Sequence, residues 1–188
     1  MSNSTPGRRS LVKGVHIRPY TLDDAPAVFE AARESMVELG PWMPWCHPEY
    51  SIEESAAWLE VQVPAFHQST AYEFAITLAD GRLVGGCGLN QIDPINQRAN
   101  LGYWVRTAAT RQGVATTAVS LIRRWGFEHT DLTRLEIIVA AGNLASQRVA
   151  EKAGATREGT LRSRLILHGA CHDAAVYSFV ASEWRPTP

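Results

Sequence analysis

Two segments of this chain combine residue types and spacings that could do chemistry. From Val105 to Ala118 it reads Val-Arg-Thr-Ala-Ala-Thr-Arg-Gln-Gly-Val-Ala-Thr-Thr-Ala, the pattern of a strand end, a short glycine-containing loop and a helix start. The opening N–H groups of a helix lack intrahelical acceptors, and the helix dipole adds positive potential there. The amides of Arg111, Gln112, Gly113, Val114, Ala115 and Thr116 can therefore converge on a phosphate or diphosphate. Gly113 matters because a side chain at that point would hold an anion away from the backbone. The second segment is Asn143-Leu144-Ala145-Ser146. Asn143 stands where the chain passes from strand to helix, so its amide can cap the helix or hold a ligand. Ser146 puts a hydroxyl on the same side of the first turn.

Other clusters fit ordinary structure. Cys46 and Cys87 have no histidine and carboxylate in a recognisable nucleophile arrangement and read as packing residues. His168-Gly169-Ala170-Cys171-His172-Asp173 has the residue types of a metal site, but its spacing around a hairpin turn matches no standard zinc pattern, and no metal is expected. Gly81, Gly85, Gly86 and Gly88 do not spell G-x-G-x-x-G and open no helix. They read as a hairpin turn with bulges or close packing. Arg148, Lys152, Arg157, Arg162 and Arg164 add local positive charge, either a solvated face or a contact for an acidic group.

The elements that would position the two segments follow from pattern. Val15 to Tyr20 reads as a strand, and Thr21-Leu22-Asp23-Asp24 as the N-cap of a helix from Ala25 to Met36. The prolines of Leu39 to Trp45 rule out regular helix there. Ser51-Ile52-Glu53-Glu54 is a capping box opening a helix to about His67. Strands near Tyr72–Leu78 and Leu83–Ile92 are joined at Asp80-Gly81, and Asp93-Pro94-Ile95-Asn96 turns into a strand from Asn100 to Val105. Val114, Ala118, Leu121, Ile122 and Trp125 share one helical face up to Glu128. Leu135 to Ala140 suits a buried strand, Asn143 to Ala153 a helix stopped by Gly154, and two strands near Thr160–Leu167 and Ala174–Val180 flank a turn at Gly169. This order predicts an α/β layer fold on a mixed sheet.

The totals set limits. At 188 residues the chain has the length of one domain, expected at residues 13–184 after a flexible Ser-, Pro-, Gly- and Arg-rich tail at residues 1–12. A net charge of −1 offers no broad surface for nucleic acid. Three well-separated cysteines without a C-x-x-C pair fit reduced thiols, hence a cytoplasmic protein. No apolar run approaches the roughly 18 residues of a membrane span, and the first residues lack a signal-peptide core, so no membrane partner is expected.

Taken jointly, the segments resemble a known family. The loop through Gly113, the following strand and the N-x-x-S at residues 143–146 look like the GCN5-related N-acetyltransferases (GNAT). Asp93-Pro94-Ile95-Asn96, Leu101-Gly102-Tyr103-Trp104-Val105, Arg157-Glu158-Gly159 and Pro41-Trp42-Met43-Pro44-Trp45 are similar to the RimJ/RimL-type branch that acetylates ribosomal-protein N-termini. The likeness covers most of residues 15–182. It implies an α/β GNAT fold, with a mostly antiparallel central sheet of six to seven strands, splayed at the cofactor site and flanked by four helices.

It also implies roles. The backbone of Tyr103, Trp104 and Val105 would pair with the pantetheine arm of acetyl-CoA, and a backbone N–H there would polarise the thioester carbonyl. The turn from Arg111 and Gln112 through Gly113, Val114 and Ala115 to Thr116 would hold the diphosphate. Asn143 would contact pantetheine, and Ser146 would protonate the departing thiolate. Thr110 departs from the family's Arg or Gln at that position, and Arg111 could compensate. Trp42, Met43 and Trp45 would line the acceptor groove or, alternatively, plug the space beneath the helices.

A neutral amine would attack directly, without an acyl-enzyme. Some relatives have a glutamate base in the region matching Leu165, and that role does not carry over to a leucine. Glu73, Glu158, His47, His67 and His168 remain candidates, each also readable as a surface or packing residue. An α-amine, of pKa about 7.7–8.0, has more free base at neutral pH than a lysine near 10.4, which favours N-terminal amines for an enzyme without a strong base. The expected activity is acetyl-CoA-dependent N-acetylation of an amine, foremost a ribosomal-type protein N-terminus. The alternatives are a small amine (polyamine, amino sugar or amino-acid derivative) or a non-catalytic acyl-CoA-binding module, with the protein a monomer or homodimer.

Overall fold

The computed structural model describes residues 14–184, so the expected tail at residues 1–12 lies outside the described residues. Seven strands form one sheet: β1 (Val15–Pro19), β2 (Tyr72–Leu78), β3 (Leu83–Asp93), β4 (Arg98–Val105), β5 (Arg134–Ala140), β6 (Thr156–Leu167) and β7 (Ala170–Val180). Their spatial order is β1-β2-β3-β4-β5-β7-β6, antiparallel throughout except between β4 and β5. Five helices flank it: α1 (Ala25–Glu34), α2 (Met36–Leu39), α3 (Ile52–His67), α4 (Val114–His129) and α5 (Leu144–Lys152).

The predicted first helix divides at Ser35, whose backbone leaves the helical region at φ −107° and ψ 10° while its hydroxyl donates to the Ala31 carbonyl at 2.7 Å. The short α2 beyond it is the difference from the four helices expected. The three predicted turns between strands are present: Gly81 and Gly169 adopt φ +83° and +78°, and Asp93 Oδ1 accepts from the amides of Ile95 and Asn96 at 3.1 and 3.0 Å. The capping box of α3 forms in both directions, at 2.9 Å from Ser51 N to Glu54 Oε2 and 3.4 Å from Glu54 N to Ser51 Oγ.

Alternation along β2 sorts the two layers. Phe74 and Ile76 face the larger core, which they share with Val114, Ala118, Val119 and Ile122 of α4, and with Leu135, Ile137, Tyr177 and Phe179. Ala75 faces the other way, toward Ala25, Val28 and Ala31 of α1 and Leu59 of α3. Leu59 is fully buried, which contributes roughly 1.5–3 kcal/mol of transfer free energy. The buried face of α4 includes Val119, while Leu121 is only half-buried. Trp125 turns instead into an aromatic group with Phe66, Tyr72 and Phe74, at centroid distances of 5.7, 4.8 and 4.9 Å.

The sheet departs from regular pairing at its centre. β4 and β5 pair only at Arg98↔Arg134, Ala99↔Leu135 and Asn100↔Glu136. Beyond Asn100 the strands diverge, leaving the edge of β4 from Leu101 to Val105 without a partner on that side, although its other edge stays paired with β3.

Candidate functional site

A short turn leads from the divergent end of β4 into α4. Gly113 is the N-cap of α4 with φ +79°, and Arg111 is also left-handed at φ +60°. A left-handed arginine costs about 1 kcal/mol. The first bond inside α4 runs from Thr117 N to Gly113 O at 3.0 Å, so the amides of Val114, Ala115 and Thr116 precede any intrahelical acceptor. No aspartate or glutamate occurs between Arg106 and Glu128. Amide donors at a helix N-terminus, on a segment without carboxylates of its own, fit a diphosphate.

The turn before α4 is fixed by residues that carry no motif in the sequence. Thr107 N donates to Ser35 Oγ at 2.9 Å, Ala108 N to Glu34 Oε1 at 3.0 Å, and Thr107 Oγ1 to Glu38 Oε2 at 2.8 Å. Arg106, 9% exposed, is paired with both Glu34 and Glu30. The Arg106 guanidinium holds the Glu34 carboxyl below the usual range. Thr110 Oγ1 closes the turn on the Thr107 carbonyl at 2.8 Å, and Gln112 Nε2 folds back to the Ala108 carbonyl at 2.9 Å. Arg111 is the exposed cation of this turn.

On the β5 side, Asn143 caps α5, its Oδ1 accepting from Ser146 N at 3.1 Å. Ser146 meets β4 across the gap. Tyr103 Oη lies 2.9 Å from Ser146 Oγ and 2.9 Å from the Ser146 carbonyl, so the phenol can donate to either oxygen and accept from the serine. Burial pushes the Tyr103 phenol up to about 12, against a smaller opposing effect of the Ser146 bond, and it remains a protonated donor at neutral pH. The expectation for Tyr103 concerned only its backbone; its side chain joins the site as well.

Beside β4, on the α1 and α3 side, lies a cavity of about 520 Å³. Met43, Trp45, Tyr50, Trp58, Tyr103 and Trp104 give it aromatic and apolar walls, with Trp45 and Trp104 edge-to-face at 5.7 Å. Met43 and Trp45 therefore reach the cavity wall. Trp42 does not; it packs where a side chain on Gly142 would sit, 3.3 Å from its ring, at the entry to α5. The glycines of β3 are close-approach positions. A methyl on Gly86 would come within 2.7 Å of Trp104 Nε1, and one on Gly88 would collide with the carboxylate of Glu73.

Of the five candidate bases only Glu73 lines this cavity. Its Oε1 accepts from Asn90 Nδ2 at 3.0 Å, and Asn90 Oδ1 in turn accepts from Asn100 Nδ2 at 2.9 Å. Burial raises the Glu73 carboxyl, only partly offset by the Asn90 bond. Glu158 lies away from the cavity, paired with Arg134 at 2.5 Å and accepting from Ser178 Oγ at 2.6 Å, and that arginine holds its carboxyl down at about 2. His47 is paired with Glu54 at 3.1 Å, His168 Nε2 rests 2.8 Å from the Gly40 carbonyl, and His67 packs on Phe66 at 6.1 Å. Cys46 and Cys87 are each 2% exposed, and burial pushes both thiols up, the opposite of an activated nucleophile. Among the described residues, Asp173 accepts from the Ser163 amide at 2.8 Å, and no group of three His, Cys, Asp or Glu side chains could hold a metal ion.

A family model described as an acetyltransferase (GNAT) domain matches residues 15–156. The Bacillus subtilis (strain 168) protein named "Putative ribosomal N-acetyltransferase YdaF" is 30% identical over 174 residues, covering 91% of this chain and 93% of that one. The ribosomal-protein-serine acetyltransferase of Escherichia coli (strain K12) is 27% identical over 60% of this chain and 63% of its own length. The structure of Mycobacterium smegmatis RimJ in complex with CoA-disulfide superposes with a TM-score of 0.84 at 26% identity, over 92% of this chain and 85% of that one. The chain belongs to the GNAT acetyltransferase family, and is an N-acetyltransferase that uses acetyl-CoA.

Proposed function

We propose that this enzyme acetylates the α-amine of a protein N-terminus, of the ribosomal-protein type. The observation that carries the reading is that Tyr103 and Trp104 belong both to the divergent edge of β4 and to the cavity wall. An acceptor in the cavity therefore lies against the strand that would hold the thioester. Amides of Gly113 to Thr116 would hold the diphosphate, the free edge of Leu101 to Val105 the pantetheine arm, and Ser146 the departing sulfur. A cavity of about 520 Å³ has the volume of a small-ligand site, which suits one or two terminal residues or a small amine rather than a folded surface.

The relatives named for ribosomal proteins favour the peptide. Chemistry favours an α-amine over lysine: the lysine ammonium is roughly 2.5 pKa units more basic, so freeing it costs about 3 kcal/mol more at the same base. Thiol release from acetyl-CoA over a panel decides the acceptor. The panel holds Ser-, Ala- and Met-initiated peptides, the same peptides with blocked N-termini and an internal lysine, spermidine, and an amino sugar. Turnover of the free N-terminal peptides and not of the blocked ones is expected. Turnover confined to spermidine or the sugar would assign a small-amine acceptor.

A further inference from the structure

The aromatic cavity has an uncompensated charge. Its lining residues include two carboxylates, Glu73 and Glu54, and no arginine, lysine or histidine. Glu54 already has partners, in His47 at 3.1 Å and the Ser51 amide at 2.9 Å. Glu73 has a single donor, Asn90, on Oε1, while Oε2 lies over the bare backbone of Gly88. Burying a carboxylate with one neutral hydrogen bond is costly unless it takes up a proton or something cationic arrives.

Register says where that cation would sit. Glu73 pairs with Gly88, and Gly88 with Gly102, so the three lie in one row across β2, β3 and β4. Strands stand about 4.8 Å apart, which puts the Glu73 backbone about 10 Å from Gly102. The glutamate side chain spans the first half of that interval by lying over Gly88, and neither glycine fills the rest. The remaining space ends at the divergent part of β4, beside Tyr103. Trp45, Tyr50, Trp58 and Trp104 supply aromatic surface suited to an ammonium.

We propose that Glu73 is the amine anchor and general base of this enzyme. Its carboxylate receives the acceptor as an ammonium, held oriented by the Asn100–Asn90 amide chain, and takes the first proton. The inference rests on the proposed acetyl transfer and adds the class of acceptor it selects, a protonated primary amine. One N–H proton of R–NH3+ passes to Glu73 Oε2. The freed nitrogen lone pair then forms the C–N bond, and the C–S bond breaks. The second N–H proton reaches the departing sulfur by way of the Ser146 hydroxyl, and Glu73 returns its proton to water. The products are the N-acetyl amine, CoA thiol and one solvent proton. Burial raises the carboxyl, the direction that suits a base. The other titratable groups facing it are Tyr20, Tyr50, Tyr103, Cys87 and Glu54, and burial keeps Tyr20 and Cys87 protonated.

The test compares wild type with Glu73→Gln on a Ser-initiated tetrapeptide and on spermidine, side by side, from pH 6 to 9. Wild-type turnover of the peptide supports the N-terminal reading. Turnover of spermidine alone overturns that reading while leaving Glu73 to be judged on spermidine, and turnover of neither amine overturns both. On the active acceptor, Glu73→Gln should lower kcat/KM at least 100-fold at pH 7, leave acetyl-CoA affinity within threefold by calorimetry, and lose proportionally less as pH rises and free amine accumulates. Gly88→Ala, which keeps the carboxylate but displaces it, should raise KM for the amine more than it lowers kcat. A loss below fivefold in Glu73→Gln, or an equal loss at every pH, overturns the assignment.

Discussion

Replacing Ser146 with alanine separates binding from chemistry because the structure splits its contacts cleanly. Among the described residues the side-chain partner of Ser146 Oγ is Tyr103 Oη at 2.9 Å, and the alanine variant keeps the second bond of that phenol, to the residue-146 carbonyl at 2.9 Å. The cost in stability is one exchangeable hydrogen bond, about 1 kcal/mol, partly offset by the better helix propensity of alanine at this first turn of α5. If Ser146 protonates the departing thiolate, the loss in kcat belongs to the general-acid range of 10²–10⁴-fold. The lower end, about 100-fold or 2.7 kcal/mol of barrier, is the expected value, since a thiol of pKa about 8.5 already leaves readily as an anion. For the same reason the deficit should shrink as pH rises through about 8.5. Tyr103→Phe should cost less, and the double variant no more than Ser146→Ala alone, because the phenol acts through the serine. Stopped-flow thiol release, calorimetry with acetyl-CoA and thermal melting read the three quantities. A kcat within threefold of wild type, or equal losses in kcat and acetyl-CoA affinity, would refute the role of Ser146 as acid.

Glu34→Gln should destabilise the protein by about 1.5–3 kcal/mol in urea and weaken acetyl-CoA several-fold, because Arg106 and the Ala108 amide lose a charged acceptor and the turn before α4 loosens; unchanged affinity would show that this clamp does not set the turn. Gly113→Glu should abolish acetyl-CoA binding while the protein stays folded by circular dichroism, since it puts a carboxylate at a left-handed helix start aimed at an anion. The Arg134–Glu158 pair gives an acid signature. The folded pKa of Glu158 is depressed to about 2, so its contribution is present above the ordinary carboxylate pKa and fades as pH falls toward 2. Both groups are partly exposed, at 26% and 38%, which limits the effect to about 1 kcal/mol. Glu158→Gln should flatten the stability profile below pH 4.5 and leave turnover at pH 7 intact.

Much of the architecture is legible in the chain because buried strands and capped helices write period and punctuation into it. The capping box at Ser51, the Asx turn at Asp93 and the Asn143 cap all form. The sequence pattern starts β6 at Thr160 rather than Thr156, for a physical reason: it is an edge strand exposed on both faces, so Arg157-Glu158-Gly159 shows no alternation. The turn before α4 is visible as a local pattern. The parts of the site that sequence leaves open depend on contacts between distant segments: Tyr103 with Ser146, Arg106 with Glu34, and Glu73 with Asn90 and the glycine row. In the sequence Glu73 is one of five candidate bases and reads equally as a surface or packing position. Only the register that places it opposite Gly88, and Gly88 opposite Gly102, turns it into a carboxylate at the cavity.

The most direct test is a crystal structure of the protein with acetyl-CoA. The diphosphate is expected within hydrogen-bond distance of the amides between Gly113 and Thr116, with the pantetheine arm along the free edge of Leu101 to Val105 and the sulfur beside Ser146. A coenzyme seated anywhere else, or density that never appears in crystals soaked at saturating concentration, would contradict this placement.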